Sequence, residues 1–479
     1  MNPLLIFAIV LGYFSILIVI SLFTGKNTNN EGFFLGNRKS KWYIVAIGML
    51  GSSISGVTFI SVPGWVQTTQ MTYMQMVLGF FLGYFVIAHV LLPIYYKLKL
   101  PSIYTYLDER FGNSSYKTGA SFFLLSRTIG SAARLFVVAN VLQVTIFNQM
   151  GVPFWGTVII TIILIWIYTF KGGIKTIIWT DTLQTIFLFT ALIATIVIVI
   201  KEMNLGLSDS INTIFSNPMS KIFEFKDWHS SQHFLKQFIS GALITIVMTG
   251  LDQDMMQKNL SCKNIKDAKR NVITYGFAFL PANLLFLSLG VLLTIFATQS
   301  GIDPELIKGD NLYPYIATNL LGPGILILFL IGLMASAYSS ADSALTALTT
   351  SFTVDIIGIK NKDESQIKKI RTKVHIGFSL LMAILIILFE MLNEKSIIDA
   401  IYAIAGYTYG PLLGLYAFGL FTKLKVRDKA VPFIAILSPL ICFALSWFLK
   451  NYAGYKMGYE LLLLNGIITF TGLLIFQKK

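Results

Sequence analysis

The segment GMLGSSISGVTFISVPG, residues 48–64, lies within a long apolar run and cannot form a regular helix from end to end. Gly48, Gly51, Gly56, Gly64 and Pro63 alternate with Ser52, Ser53, Ser55, Thr58 and Ser61. Glycine and proline are the poorest helix formers, and serine offers the backbone competing hydrogen bonds. A helix broken in mid-membrane frees carbonyls, which is tolerated only where protein buries them or they line a cavity. Membrane carriers use such breaks to hold ions at carbonyls and anionic groups at half-helix N-termini. The competing reading is a glycine-rich packing face.

The surrounding chain supports the membrane setting. Its 479 residues are 55% hydrophobic and 13% charged, with mean hydropathy +0.71. Soluble domains carry about 25% charged residues. This composition excludes a soluble enzyme, a nucleic-acid binder and a secreted scaffold. Thirteen apolar segments read as spanning helices, each close to the about 20 residues a bilayer requires. Numbered from zero, they are 4–23, 43–69, 73–96, 117–147, 153–170, 176–200, 236–251, 271–298, 321–356, 372–391, 397–421, 430–449 and 457–476. The first lacks a basic flank and a small-residue cleavage site, so it reads as a retained helix. The longest connection, 201–235, has room for a short helix or lid. Cys262 and Cys442 fall in a basic loop and an apolar run, which supports no disulfide framework.

Of the 37 lysines and arginines, 27 fall in alternate loops and the C-terminal tail, eight on the opposite side, and Arg127 and Arg134 inside span 3. Positive charge marks the cytoplasmic side, so the N-terminus is expected outside and the C-terminus inside. This asymmetry accounts for the net charge of +14 without nucleic acid.

Charges inside spans are costly and mark function by default. By these boundaries they are Asp181, Asp342, Arg127 and Arg134; His89 can be neutral. Span 8 reads MASAYSSADSALTALTTS over 334–351. Ser336, Ser339, Ser340 and Ser343 recur at helical steps, with Asp342 beside them. Hydroxyls and carboxylates are hard oxygen ligands, suited to a hard cation rather than a transition metal. Serines alone also fit a small-residue helix interface, but Asp342 does not. Span 5 opens GGIKTIIWTDTLQ over 172–184, placing Asp181 about two turns in, with Thr182 and Thr185 near it. A broken span 1 and a short span 6 fit two five-helix halves of opposite orientation.

With SSISGVTFISVPG in span 1 and GG…WTD in span 5, three further pieces recur in order: GLDQDMMQK (250–258), the span 8 serines ending in FTVDI (352–356), and GYTYGPLLGLYAFGLF (406–421). Together they make the chain resemble the sodium:solute symporter family over essentially its whole length. The resemblance implies an all-α integral membrane protein with a LeuT-type 5+5 inverted repeat. One transporter domain would comprise a leading helix (4–23), repeat one (43–200), repeat two (236–421) and two accessory helices (430–476). It implies a shared sodium site from the carbonyls of Gly51, Ile54 and Ser336 and the hydroxyls of Ser339 and Ser340. An additional cation site would use Asp181, Ser339 and Ser343, with Asp342 where those members carry an uncharged hydroxyl residue. Two carboxylates there would bind a cation tightly or hold one proton between them, since like charges resist double ionisation.

The resemblance places the solute near Ser53, Ser55, Thr58, Tyr73, Gln75 and Tyr402. Arg134, mid-way along span 3, is positioned to clamp a solute carboxylate, or to form a structural pair. Asp181 is the expected partner of Arg127. The expected activity is sodium-coupled symport of a small polar solute (sugar, sialic acid, amino acid or monocarboxylate) across the plasma membrane, the inner membrane in a bacterium. The alternatives are a proton-coupled carrier of the same fold and a membrane sensor, the latter disfavoured by the lack of a domain beyond Lys479. A channel would offer rings of repeated subunits, and no convincing nucleophile, base or metal set points to an enzyme. No organic cofactor is expected. The partners are the solute and the bilayer; the oligomeric state is open, a monomer being compatible.

Overall fold

A chain this apolar must satisfy its backbone internally, and helices do so within one segment. The structure, a computed structural model, describes residues 3–26, 28–98, 102–392, 397–455 and 457–478, with side chains except at 3, 4, 392 and 397–403. Among the described residues there is no β-strand, only isolated bridges joining Ser40 to Cys262 and Val426 to Gln477. The main helices are α1 (Pro3–Thr24), α2 (Trp42–Ser53), α3 (Gly56–Thr69), α4 (Tyr73–Val86), α5 (Asn113–Leu142), α6 (Phe154–Thr169), α7 (Ile174–Glu202) and α8 (Phe234–Thr245). They continue as α9 (Gln253–Leu260), α10 (Ile265–Gln299), α11 (Gly322–Ser351), α12 (Glu364–Leu392), α13 (Ile397–Phe421), α14 (Val431–Tyr452) and α15 (Glu460–Ile475). Every apolar segment of the sequence falls on one or more of them. By length and hydropathy alone, eight spans among the described residues suffice to cross a membrane, or nine counting a bent pair.

The expected break in span 1 is present. The α2 ladder ends with Ile54 N–H donating to the Leu50 carbonyl (3.2 Å), and the next resumes with Phe59 N–H to Ser55 (3.0 Å). Ile54 leaves helical geometry at φ −84°, ψ 84°. Ser55 caps α3, its hydroxyl accepting from Thr58 N–H. The packing-face reading also holds. A Cβ at Gly48 would stand 3.0 Å from the Asp181 Cβ, and one at Gly51 only 2.0 Å from Thr185 Oγ1. These glycines bring α2 against α7, and with it Asp181 against the break.

Span 6 is not merely short. After a wide turn at Ile246–Gly250 the chain bends by 65° and continues as α9. Asp252 caps α9, accepting from Asp254 N–H (2.9 Å) and Met255 N–H (3.3 Å). The carbonyls at the bend are taken by tyrosines: Tyr95 donates to Gly250 (2.9 Å) and Tyr104 to Leu251 (3.0 Å). Lys258, assigned by sequence to a basic loop, is instead on α9 and only 1% exposed. The cause is the capping Asp252, which restarts the helix where Gly250 and the following charges read as a loop.

Helix α11 runs through the middle, buried at every residue from 332 to 351, in contact with α2, α3, α5 and α7. The connection after α7 carries the expected short helix, Leu207–Phe215. On the other flank α4 and α8 meet backbone to backbone. A Cβ at Gly79 would lie 2.0 Å from the Phe238 carbonyl oxygen, and one at Gly241 2.2 Å from that of Met76. Small residues permit such contact where no hydrophobic force drives helices together.

Replacing Gly79 by Val should therefore destabilise by about 1–3 kcal/mol, the usual cost of overpacking. It should lower the melting temperature in detergent. Gly12→Ala, where nothing lies within 4 Å, should leave that temperature unchanged.

Candidate functional site

The break between α2 and α3 faces the serine side of α11. Ser340 Oγ donates to the Ser52 carbonyl at 2.9 Å and reaches its own helix at Ser336 (3.2 Å). Ser336 spends its hydroxyl on the Leu333 carbonyl (2.8 Å), and its own carbonyl accepts from Ser340. Ser339 Oγ is buried, beside the Asp181 carboxylate, without completing a hydrogen bond. Buried hydroxyls of Ser131, Thr346 and Thr353 share that state, so what sets Ser339 apart is the carboxylate beside it. Freed carbonyls, an open hydroxyl and a nearby carboxylate make a donor set that fits a small hard cation.

Asp181 lies wholly buried on α7. Its Oδ2 accepts from Ser52 Oγ (2.9 Å) and Ser343 Oγ (3.3 Å) and pairs with Lys258 Nζ at 2.7 Å, while Oδ1 has no partner. Lys258 Nζ also donates to Ser52 Oγ at 2.6 Å. Asp342 accepts from Tyr168 Oη (2.8 Å) and from Ser343 N–H (2.5 Å). Thr182 and Thr185 do not join the carboxylate. Their hydroxyls donate within α7, to the carbonyls of Ile178 (2.7 Å) and Asp181 (2.6 Å), and also approach those of Ile44 (3.0 Å) and Ile47 (2.9 Å) on α2.

The expected pairing of Arg127 with Asp181 is wrong. Arg127 pairs with Asp254, through Nη2, and lies 3.8 Å from Asp252 through Nη1; Tyr409 Oη also donates to Asp252. The bend before α9 folds this acidic helix against α5, placing Asp254 nearer to Arg127 than Asp181 is. Asp252, Asp254 and Lys258 are thus functional candidates that sequence reasoning missed. One available signal was an aspartate with capping geometry four residues before the two methionines' end, followed by acid and lysine at i and i+4. Helical spacing of that kind belongs to a helix, not a loop.

Beside the break lies a cavity lined by Ser53, Ser55, Thr58, Tyr73 and Arg134, all anticipated. Ser52, Tyr84, Arg127, Thr249, Tyr275 and Phe279 are among its other walls. Ser53 shares a hydrogen bond with Tyr275 (2.6 Å), which meets Tyr84 at 2.5 Å. Trp65 and Tyr73 pack edge to face at 5.0 Å. The N-terminus of α3 opens on this cavity, a position that favours negative charge. Tyr402 lies in α13, where its side chain is outside the described residues. Gln75 is not in the cavity. Fully buried, it donates to the carbonyls of Gln232 (2.8 Å) and Thr72 (3.2 Å) and accepts from Glu224 N–H (3.0 Å). It faces the 201–235 connection, because two residues on from Tyr73 the helix has turned by about 200°, off the cavity face.

That latch carries a pH prediction. Hydrogen bonds from Lys221, then from the backbone N–H of Lys226 and Asp227, hold the Glu224 carboxyl down from 4.5 to about 2. A carboxylate held low stabilises the folded loop above its ordinary value, and the contribution is lost as pH falls from 4.5 to about 2. A spin label at Ser231→Cys should gain mobility over that interval. In a Glu224→Gln background the label should be mobile throughout and insensitive to pH.

A sequence model described as the sodium:solute symporter family matches residues 33–430. The chain is 24% identical to the sodium/sialic acid symporter of Proteus mirabilis, covering 90% of this chain and 87% of that protein. It is 26% identical to the mouse sodium-coupled monocarboxylate transporter 1, over 83% of this chain and 65% of the relative. Among solved structures, a substrate-bound, outward-open Na+-coupled sialic acid symporter superposes with a TM-score of 0.83 at 21% identity, covering 98% of this chain and 97% of that one. The matched segment contains the interrupted helices, the buried acids and the serine face of α11, and the chain belongs to the sodium:solute symporter family.

Proposed function

We propose that this protein is a sodium-coupled symporter that carries a small carboxylated solute into the cell by alternating access. The observation that carries the reading is the meeting of the α2–α3 break with α11, where Ser340 touches Ser52 and the buried Ser339 hydroxyl stands open. Gly51, Ile54, Ser336, Ser339 and Ser340 form the sodium site. The thirteen apolar segments are read as thirteen crossings, with a leading helix before two inverted five-helix repeats and two helices after them. The N-terminus is outside and the lysine-rich loops are cytoplasmic.

The solute site is the adjoining cavity. Arg134 and the N-terminus of α3 supply positive potential from two directions. Both favour a carboxylate, which agrees with sialic acid and monocarboxylates being the solutes named for the relatives. Sodium at the break orders the carbonyl turn and, through Ser53 and Ser55, the solute contacts that flank it. Release of sodium inward loosens the same turn. One charge moving through 100 mV supplies about 2.3 kcal/mol, and a tenfold gradient about 1.4 kcal/mol more. A carboxylate carried inward with the ion moves against the same potential, so at one sodium per solute the voltage term cancels and the gradient supports about tenfold accumulation.

The test is uptake into proteoliposomes, with and without a sodium gradient, against sialic acid, monocarboxylates, proline and sugars. Saturable uptake of an acidic solute that requires sodium is expected; uptake indifferent to sodium refutes the reading. Ser339→Ala and Ser340→Ala should each raise the half-saturating sodium concentration about 10- to 100-fold, the loss of one bond to a charged group. Arg134→Gln should reduce anionic uptake by a similar factor and spare neutral solutes. Equal loss for both solute classes would make the arginine structural.

A further inference from the structure

Lys258 is a buried charge that the sodium cycle above does not use. We infer that its ammonium is a tethered cation occupying the additional ion site, so that this chain binds and moves one sodium per solute rather than two. The inference rests on the sodium-coupled reading and deepens it.

The oxygens of the additional site are already committed. Lys258 Nζ lies 2.7 Å from Asp181 Oδ2 and 2.6 Å from Ser52 Oγ, and the two charged side chains are 1% and 0% exposed. Ser343 Oγ directs its proton at the same Asp181 oxygen. Both oxygens of Asp342 accept hydrogen bonds, from Tyr168 and from the backbone of Ser343. What remains is Asp181 Oδ1 and Ser339 Oγ, and Ser339 belongs to the sodium site at the break. One carboxylate oxygen and a shared hydroxyl fall well short of the shell a hard cation gathers. A mobile cation seated on Asp181 would also face the ammonium at short range in a dry interior, where like charges repel strongly.

Lys258 neutralises Asp181, its ion-pair partner, so no charge on that carboxylate is left for a second mobile cation to balance. Ser52 joins the two cations physically: its hydroxyl bridges Lys258 and Asp181, and its carbonyl is held by Ser340. The fixed ammonium thus acts on the same turn that the mobile ion orders.

The experiment is equilibrium binding of radioactive sodium to the purified full-length protein in lipid nanodiscs. The wild type should bind one sodium per chain with a Hill coefficient near one. Lys258→Met should open the second position, raising both values towards two and turning an electroneutral cycle into one that moves one net positive charge per carboxylate solute in proteoliposomes. Two sodium ions on the wild type, or one on a folded Lys258→Met, overturns the inference while leaving sodium coupling intact. Asp181→Asn provides an independent readout should Lys258→Met not fold. Its stoichiometry should stay at one, and a fall would show that Asp181 holds a mobile ion and overturn the inference. A wild type that binds no sodium is a separate result, which removes the sodium-coupled reading and the inference with it.

Discussion

Inside a bilayer an interrupted helix must have its loose backbone groups satisfied by protein, because lipid offers none. Two interruptions organise this chain, and each is closed by side chains from distant segments together with a local cap. At the first, Ser340 of α11 takes the Ser52 carbonyl and Ser55 caps the next helix. At the second, Tyr95 and Tyr104 take the carbonyls of Gly250 and Leu251, and Asp252 caps α9. The small residues around these points serve the closure. Without Gly48 and Gly51, α2 would stand too far from α7 for Ser52 to reach Asp181.

The second constraint is electrostatic. Helix α9 is short, but its lysine is bound to Asp181 on α7 and its acids to Arg127 on α5. Breaking one partner of a buried pair costs about 3–5 kcal/mol, since the other charge is left stranded. Any rearrangement that swings α9 away from its neighbours must therefore re-house both sets of charges.

Much of this was legible because polar residues stand out against an apolar background. The broken span 1, the serine face of α11 and the two buried aspartates are conspicuous for what they interrupt. That span 1 meets the serine face of α11 was an implication of the family resemblance, and Ser52, which touches both Ser340 and Asp181, was not among the residues it singled out. Residues whose types also suit a loop were hidden. Lys258, Asp252 and Asp254 follow a short apolar run, and charge after such a run reads as an exit from the membrane. Helical periodicity fixed the direction in which Arg127 points but not the neighbour it meets, since a 65° bend in another segment decides that. Gln75 sits near the start of its span, where a glutamine serves a cavity or a loop equally well, and only the placement of Gln232 and Glu224 settles which.

The seam between α4 and α8, closed to touching backbones at Gly79 and Gly241, has a mechanical meaning. Two rods in contact along their spines have no cushion of side chains in which to slide or roll. They bend and translate as one beam. Since α4 carries Tyr73 and Tyr84 on the cavity wall and α8 leads into the bend before α9, a tilt of that beam would shift the cavity wall and the bend beneath it in the same stroke.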